Sequence, residues 1–235
     1  MPSLITLDLK RVYRTGKDDL FNDFYKKAMS VSVQYDRAVG YFSSEILSIS
    51  LKGLSKLISS NGRMRLIIGH PLSNEEFDAV KQGLLLKDLT TELSTKLEEI
   101  LLVSDGKHPR LELLSYLIAS GNLDIKFALR RAGMYHEKIG IFKDEHGNFL
   151  VFQGSANETP HGMLSSLNAE SLSVYKSWEP EIFEAYGKEF LDGFERLWKN
   201  QEDDIVTLDV PSETYTKISN RFDKKLSHYI DVEDF

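Results

Sequence analysis

The chain has 235 residues, 41% of them apolar, no cysteine and a formal net charge of -7, a composition that supports a buried core in one large or two small domains. Without cysteine there are no disulfides, thiolate nucleophiles or cysteine-based zinc sites, and a reducing, cytoplasmic location is expected. No run approaches the roughly 20 apolar residues of a membrane span, and Met1-Pro2-Ser3-Leu4 carries no basic segment ahead of an apolar one, so neither a membrane partner nor export by that route is expected.

Net acidity argues against a nucleic-acid partner, whose binding surface is normally basic. The charge is uneven, however. Residues 177–235 hold fifteen Asp and Glu against seven Lys and Arg, whereas residues 107–143 hold seven basic residues against three acidic ones. The acidity therefore belongs to the C-terminal part, and the middle of the chain is locally basic.

In chain order, Asp18 is positioned to cap a helix with Leu20, Phe21, Phe24 and Ala28 on its apolar face. Val31 to Val39 predicts a strand that ends in Gly40-Tyr41-Phe42. Ser43 then caps a helix carrying Ile46, Leu47, Leu51, Leu54, Leu57 and Ile58, and Arg63 to Gly69 predicts a second strand. Strand, helix and strand with short joints form a βαβ unit and imply a parallel pair. Ser73-Asn74-Glu75-Glu76 is a capping box, and helices are predicted over 88–103 and from Pro109 to Gly121-Asn122. Leu123 to Leu129 alternates as a strand does. Arg130-Arg131-Ala132-Gly133 makes a basic turn, and Tyr135 to Phe142 predicts a central strand. A hairpin turn over Asp144 to Asn148 returns into Phe149 to Gln153, and Glu170 to Tyr175 adds a further strand. After Pro180 an amphipathic helix runs to Asn200, with Ile182, Phe183, Tyr186, Phe190, Phe194, Leu197 and Trp198 on one face. The expected fold is α/β, a mixed, largely parallel sheet flanked by helices. Residues 1–200 form the domain, and residues 201–235 an acidic linker or docking tail.

The chemistry gathers between Met134 and Glu170. Alternate side chains of a strand share a face, so His136 and Lys138 point the same way about 7 Å apart, with Gly140 leaving room beside them. An imidazole beside an ammonium suits a phosphate ester: Lys138 neutralises charge, and His136 serves as nucleophile or acid. Gly154-Ser155-Ala156-Asn157 follows the return strand, where Ser155 and Asn157 offer neutral donors to phosphate oxygens. Glu170 is placed to accept from the far ring nitrogen of His136 and hold its tautomer. No metal or other cofactor is needed, and Gly140 stands where a His-Glu-x-x-His helix would carry its second histidine. Structural roles also account for some of these residue types. His146 and His161 read as turn and loop residues, His70 as a strand end, and Tyr41 and Phe42 as core, with a place at the border of the site as the alternative. Arg130 and Arg131 fit either a nucleic-acid backbone or a solvated turn.

The order His-x-Lys, Asp, Gly-Ser-x-Asn, Asn-x-Glu resembles the phospholipase D superfamily, particularly its nuclease branch. The resemblance implies a phosphohistidine on His136, phosphate binding by Lys138 and Asn157 with Ser155, and a histidine oriented by Glu170. Five residues separate Lys138 from Asp144, one more than the family pattern, so Asp144 is assigned a structural role in the turn. Upstream, Ala38-Val39-Gly40-Tyr41-Phe42-Ser43 and Arg65-Leu66-Ile67-Ile68-Gly69 resemble modules at the N-termini of bacterial restriction and defence helicases. No Gly-x-x-x-x-Gly-Lys-Ser/Thr loop is present, so a motor would lie outside this sequence. Members of the family need two motifs and this chain has one, which implies a homodimer with paired sites across a two-fold axis. The expected function is metal-independent hydrolysis of DNA in a restriction or phage-defence system. The alternatives are a silent module that binds nucleic acid or dimerises a helicase complex, and a phospholipid head-group hydrolase.

Overall fold

The computed structural model describes residues 3–42, 61–71, 116–131, 133–157 and 168–219, with residues 54, 57–59, 73, 78, 80, 91–95, 97 and 99 besides. The predicted cap at Ser43, the predicted helix starts at Asp88 and Pro109, most of the capping box, His161 and the last sixteen residues lie outside them. Eight strands form one sheet: β1 (Val12–Arg14), β2 (Gln34–Val39), β3 (Arg63–Pro71), β4 (Leu123–Arg130), β5 (Ile139–Lys143), β6 (Phe149–Gly154), β7 (Ser171–Lys176) and β8 (Ile205–Asp209). Their order is β1-β7-β6-β5-β2-β3-β4-β8.

The sheet is mixed and flanked by helices, as expected, but its parallel part is smaller than predicted. Only β2, β3 and β4 run parallel, and the other five pairings are antiparallel. The hairpin over residues 144–148 makes β5 and β6 antiparallel neighbours, whereas much longer connections join the parallel neighbours β2, β3 and β4.

Alternation sends one set of side chains from each strand to each face. On the first face Leu123, Ile125, Phe127 and Leu129 of β4 join Phe142, Phe152 and Val174, and these pack against helix α1 (π-helical over Leu20–Tyr25, α-helical over Lys26–Met29) and against Leu54, Leu57, Leu93 and Leu97. Phe24 lies at the centre, with ring centroids 5.1 Å from Tyr13 and 5.0 Å from Phe152. Asp19, not Asp18, caps α1, accepting from Asn22 N, while Asp18 accepts from Arg14 N and pairs with Lys10.

The second face carries Ala38, Ile67, Ala128, Ile139, Ile141 and Val151. It is covered by helix α2, which is α-helical over Pro180–Ile182 and Lys188–Trp198 with a π-helical stretch over Phe183–Gly187. Phe183, Phe194 and Leu197 are buried there, but Tyr186, predicted on the same face, is 62% exposed, because the π-helical turn shifts the register of the stripe. A buried ion pair fixes α2 in place. Asp36 on β2 accepts twice from Arg65, its register partner on β3, at 2.7 Å each, and Arg65 also donates to Glu195 on α2 at 2.5 Å. The guanidinium lies 5.1 Å from the ring centroid of Phe194 and 5.2 Å from that of Trp198. Burial raises the Asp36 pKa despite the opposing guanidinium, so loss of Arg65 would leave an uncompensated buried carboxyl.

Two expectations fail at the ends of elements. Residues 201–219 are no linker: β8 pairs with β4, Val206 and Val210 are buried, and helix α3 (Ser212–Ser219) follows. The acidic composition concealed the short apolar run Ile205-Val206-Thr207-Leu208. The central strand begins at Ile139 and not at Tyr135, because β2 ends at Val39 and offers no further partner.

The turn between β5 and β6 is set by Asp144, which is 1% exposed. It accepts from Ser3 Oγ at 2.6 Å, Leu4 N at 3.0 Å, His146 N at 3.0 Å and Asn148 N at 2.9 Å. Burial alone would raise its pKa, but these donors and the Asn148 side chain outweigh it and carry the pKa down from 3.8 to about 2. Asp144→Ala leaves several donors unpaired and is expected to cost about 3 kcal/mol in urea unfolding. Because the folded carboxyl titrates below the unfolded one, its contribution is complete above pH 3.8 and is lost as pH falls toward 2. Wild type should therefore show an acid limb in that window that Asp144→Asn lacks.

Candidate active site

One edge of the sheet collects the C-terminal ends of β2, β3 and β6 and the beginnings of β5 and β7. Strand register alone places it: Ala38 faces Ile139, Ile139 faces Gln153, and Gly154 faces Leu172. In open α/β sheets ligands bind beyond the carboxyl ends of the parallel strands.

Residues 134–138 run as extended chain into β5 across this edge. Gly40 and Gly69, just past β2 and within β3, make room for them. A Cβ on Gly69 would stand 2.3 Å from the Tyr135 carbonyl, and one on Gly40 would stand 2.8 Å from His136 Cδ2. Gly140 has a different role from the one expected. A Cβ there would lie 2.0 Å from Phe152 Cζ, so the missing side chain makes room for a core ring and not for the site.

His136 is exposed and Lys138 is 7% exposed. The Lys138 ammonium lies 2.7 Å from His136 Nδ1 and 3.1 Å from Nε2, and it donates to the His136 carbonyl at 2.7 Å. Burial lowers the Lys138 pKa and the nearby Arg37 lowers it further, while Glu170 opposes both.

The Gly-Ser-x-Asn turn is tied to the same place. Gly154 N donates to the Lys138 carbonyl at 3.3 Å, and Asn157 Oδ1 accepts from Tyr41 N at 3.2 Å. Tyr41 is 57% exposed, against the expectation that it is core, and its ring meets His136 edge-on with centroids 6.0 Å apart. Phe42 does lie in the core. Glu170 accepts from the Ser155 hydroxyl, and Asn168 donates to it at 3.5 Å. Among the described residues no hydrogen bond joins Glu170 to His136, so the observed partner of Glu170 is the turn and not the imidazole.

The structure adds Arg37, which has no exposed surface. It donates to the Ala156 carbonyl at 2.5 Å and lies 5.1 Å from the Phe152 ring centroid. The guanidinium thus anchors the turn between Ser155 and Asn157 and places a positive charge beneath the site. A planar, weakly hydrated cation against an aromatic face tolerates such burial better than an ammonium does. The sequence signal was a pair of adjacent charges, Asp36 and Arg37, within the strand run Tyr35 to Val39. Elsewhere, Arg131 pairs with Asp78, and His70 lies within β3 at 7% exposure.

This is a three-layer α/β domain whose site edge carries His-x-Lys, Gly-Ser-x-Asn and Asn-x-Glu side by side, the order that resembles the phospholipase D superfamily. No family model matches the chain, and no curated protein matches it. Among solved structures it is similar to NucT from Helicobacter pylori, with a TM-score of 0.47 and 14% identity over 84% of this chain and 97% of that one. It is also similar to phosphatidylserine synthase from Haemophilus influenzae, with a TM-score of 0.45 and 15% identity over 94% of this chain and 44% of that one. A third is Nuc, a phospholipase D family member from Salmonella typhimurium, with a TM-score of 0.43 and 14% identity over 82% and 95% of the two chains. Identities of this size leave the reaction to be argued from the site's own chemistry. Among the described residues no helix is long and apolar enough to cross a membrane.

Gly69→Ala must displace the Tyr135 carbonyl. We expect it to cost about 1–3 kcal/mol in thermal or urea unfolding, as overpacking does, and to move the NMR signals of the His136 ring. Gly193→Ala within α2, where the new Cβ meets nothing closer than 3.6 Å, should instead stabilise by up to about 1 kcal/mol and leave those signals in place.

Proposed function

We propose that the chain is a phosphodiesterase of the nuclease kind that cleaves DNA through a phosphohistidine on His136, without a metal. The observation that carries this reading is the contact of the Lys138 ammonium with the His136 ring nitrogens, 2.7 and 3.1 Å, at an exposed sheet edge. A neutral imidazole keeps a lone pair on one of its two ring nitrogens, so one of the two contacts is a hydrogen bond at most, and that lone pair is what a nucleophile needs.

An incoming diester supplies the anion that the buried Lys138 lacks. Its non-bridging oxygen takes the ammonium, and the His136 lone pair is released toward phosphorus. As the nitrogen–phosphorus bond forms, the phosphorus–oxygen bond to the leaving strand breaks, and that oxygen takes a proton from an acid. Water then gives a proton to the base left by that acid and attacks phosphorus, the nitrogen–phosphorus bond breaks, and both the acid and the imidazole are restored. Ser155 and the Asn157 amide donate to the charged oxygens, with Asn157 held through Oδ1 by Tyr41 N. Glu170 keeps the Ser155 hydroxyl in place. Lys138 and the buried Arg37 supply the positive charge that a metal would otherwise bring.

The acid that serves the leaving strand has no second motif to come from in this sequence. We assign it to His136 of a second copy, in a homodimer whose sites face each other across a two-fold axis. A restriction or phage-defence setting, with a helicase on another polypeptide, rests on the upstream sequence resemblance.

His136→Ala should abolish cleavage of single- or double-stranded DNA, while wild-type cleavage should persist in EDTA. Turnover by the mutant, or its loss from wild type on chelation, rejects the mechanism. Light scattering should give a dimer, and a species that is monomeric at full activity rejects the shared site.

A further inference from the structure

Beside His136 lies a cavity of about 490 Å³, lined by Gly40, Tyr41, His70, Glu92, Glu99 and Met134 among others. It lies within the size range of small-ligand pockets. It shares a wall with the extended segment 134–138, since the same Gly40 position is bounded by His136 Cδ2 and the Met134 methyl. A group that enters it is therefore adjacent to any phosphorus that His136 attacks.

Resting on the nuclease reading, we propose that this cavity receives the unpaired base next to the scissile phosphate, and that the substrate is a single strand. Three observations converge on a base. Among the described residues of its lining, Tyr41 presents the one largely exposed ring, 57% exposed, whereas Phe42 and Phe127 in the wall are 7% and 0% exposed. One accessible ring is a stacking platform, while a cage for a quaternary ammonium head group needs several.

The polar lining has acceptors where a phosphate would need donors. Glu92 and Glu99 repel phosphate and accept from the exocyclic amino and ring N–H groups of a base edge. His70 is 7% exposed, and its Nε2 has no hydrogen-bond partner among the described residues. Glu92 Oε1 is 3.3 Å away, an ion-pair distance without hydrogen-bond geometry. A buried imidazole nitrogen at the wall, beside an exposed carboxylate, forms a donor and acceptor pair that fits a base edge. A duplex keeps such edges paired and stacked, so only a single strand or an extruded base can offer one.

The test uses fluorescein-labelled single-stranded DNA octamers and the full chain carrying His136→Ala, so that binding is read without cleavage. Adding Tyr41→Ala should weaken binding by about 5- to 150-fold, the range for one stacked base. Replacing each base in turn by an abasic residue should give a comparable loss at one position in the parent and none in the Tyr41→Ala protein. Glu92→Gln with Glu99→Gln should alter the preference among dA, dC, dG and dT octamers. Tyr41 and both glutamates are exposed, and circular dichroism reports whether each variant is folded. If the parent binds the octamers and neither Tyr41→Ala nor any abasic position changes the affinity, the base pocket is wrong and the nuclease reading survives. If the parent binds duplex DNA but no octamer, the base pocket is wrong and the nuclease reading survives; if it binds neither kind of DNA, with or without binding to phosphatidylcholine vesicles, both readings fail.

Discussion

The close approach of residues 134–136 to the ends of β2 and β3 is the constraint on which the site depends. Two glycines permit it, with Tyr135 carbonyl oxygen and His136 ring carbon occupying the space that side chains at positions 69 and 40 would fill. Backbone contact of this kind cannot be retuned by rotamer changes, so it fixes where the imidazole emerges more firmly than a side-chain contact would. Lys138 follows two residues later and is held by the carbonyl and ring of His136. The imidazole and the ammonium beside it are thus set by one short piece of chain.

Around that piece, three tethers bring the downstream turn to the same edge. The strand register delivers Gly154, the buried Arg37 holds the Ala156 carbonyl, and Tyr41 N holds Asn157. Each comes from a different element, and the charge of Arg37 also bears on Lys138. The same guanidinium serves packing, positioning and electrostatics, and its burial is the energetic cost of an electropositive site in an acidic chain. Far from the site, Asp144 and the Asp36–Arg65–Glu195 set do the corresponding structural work, closing the hairpin and clamping α2 to the sheet.

Much of this was legible in the chain. The strands around the site, the hairpin at Asp144 and the apolar stripe of α2 follow from period and turn chemistry. The identity of His136, Lys138, Ser155, Asn157 and Glu170 as neighbours followed from motif order, and the fold brings them to one edge. Legibility failed where a partner decides the outcome. Tyr135 to Lys138 has a strand's pattern but no strand beside it, Tyr186 is displaced by a π-helical turn, and Ile205 to Asp209 becomes a strand because β4 has a free edge.

The sequence by itself therefore determined the elements and the chemical inventory, because both are local: alternation, capping and residue type act over a few positions. Only the tertiary structure decided what the inventory touches. It gave Glu170 to Ser155 and not to His136, gave the space at Gly140 to Phe152, and placed Arg37 beneath the site and Tyr41 at its mouth. The last two depend on pairings between residues more than a hundred positions apart, Arg37 with Ala156 and Tyr41 with Asn157, and the first two on how neighbouring strands are brought together, which no local pattern encodes.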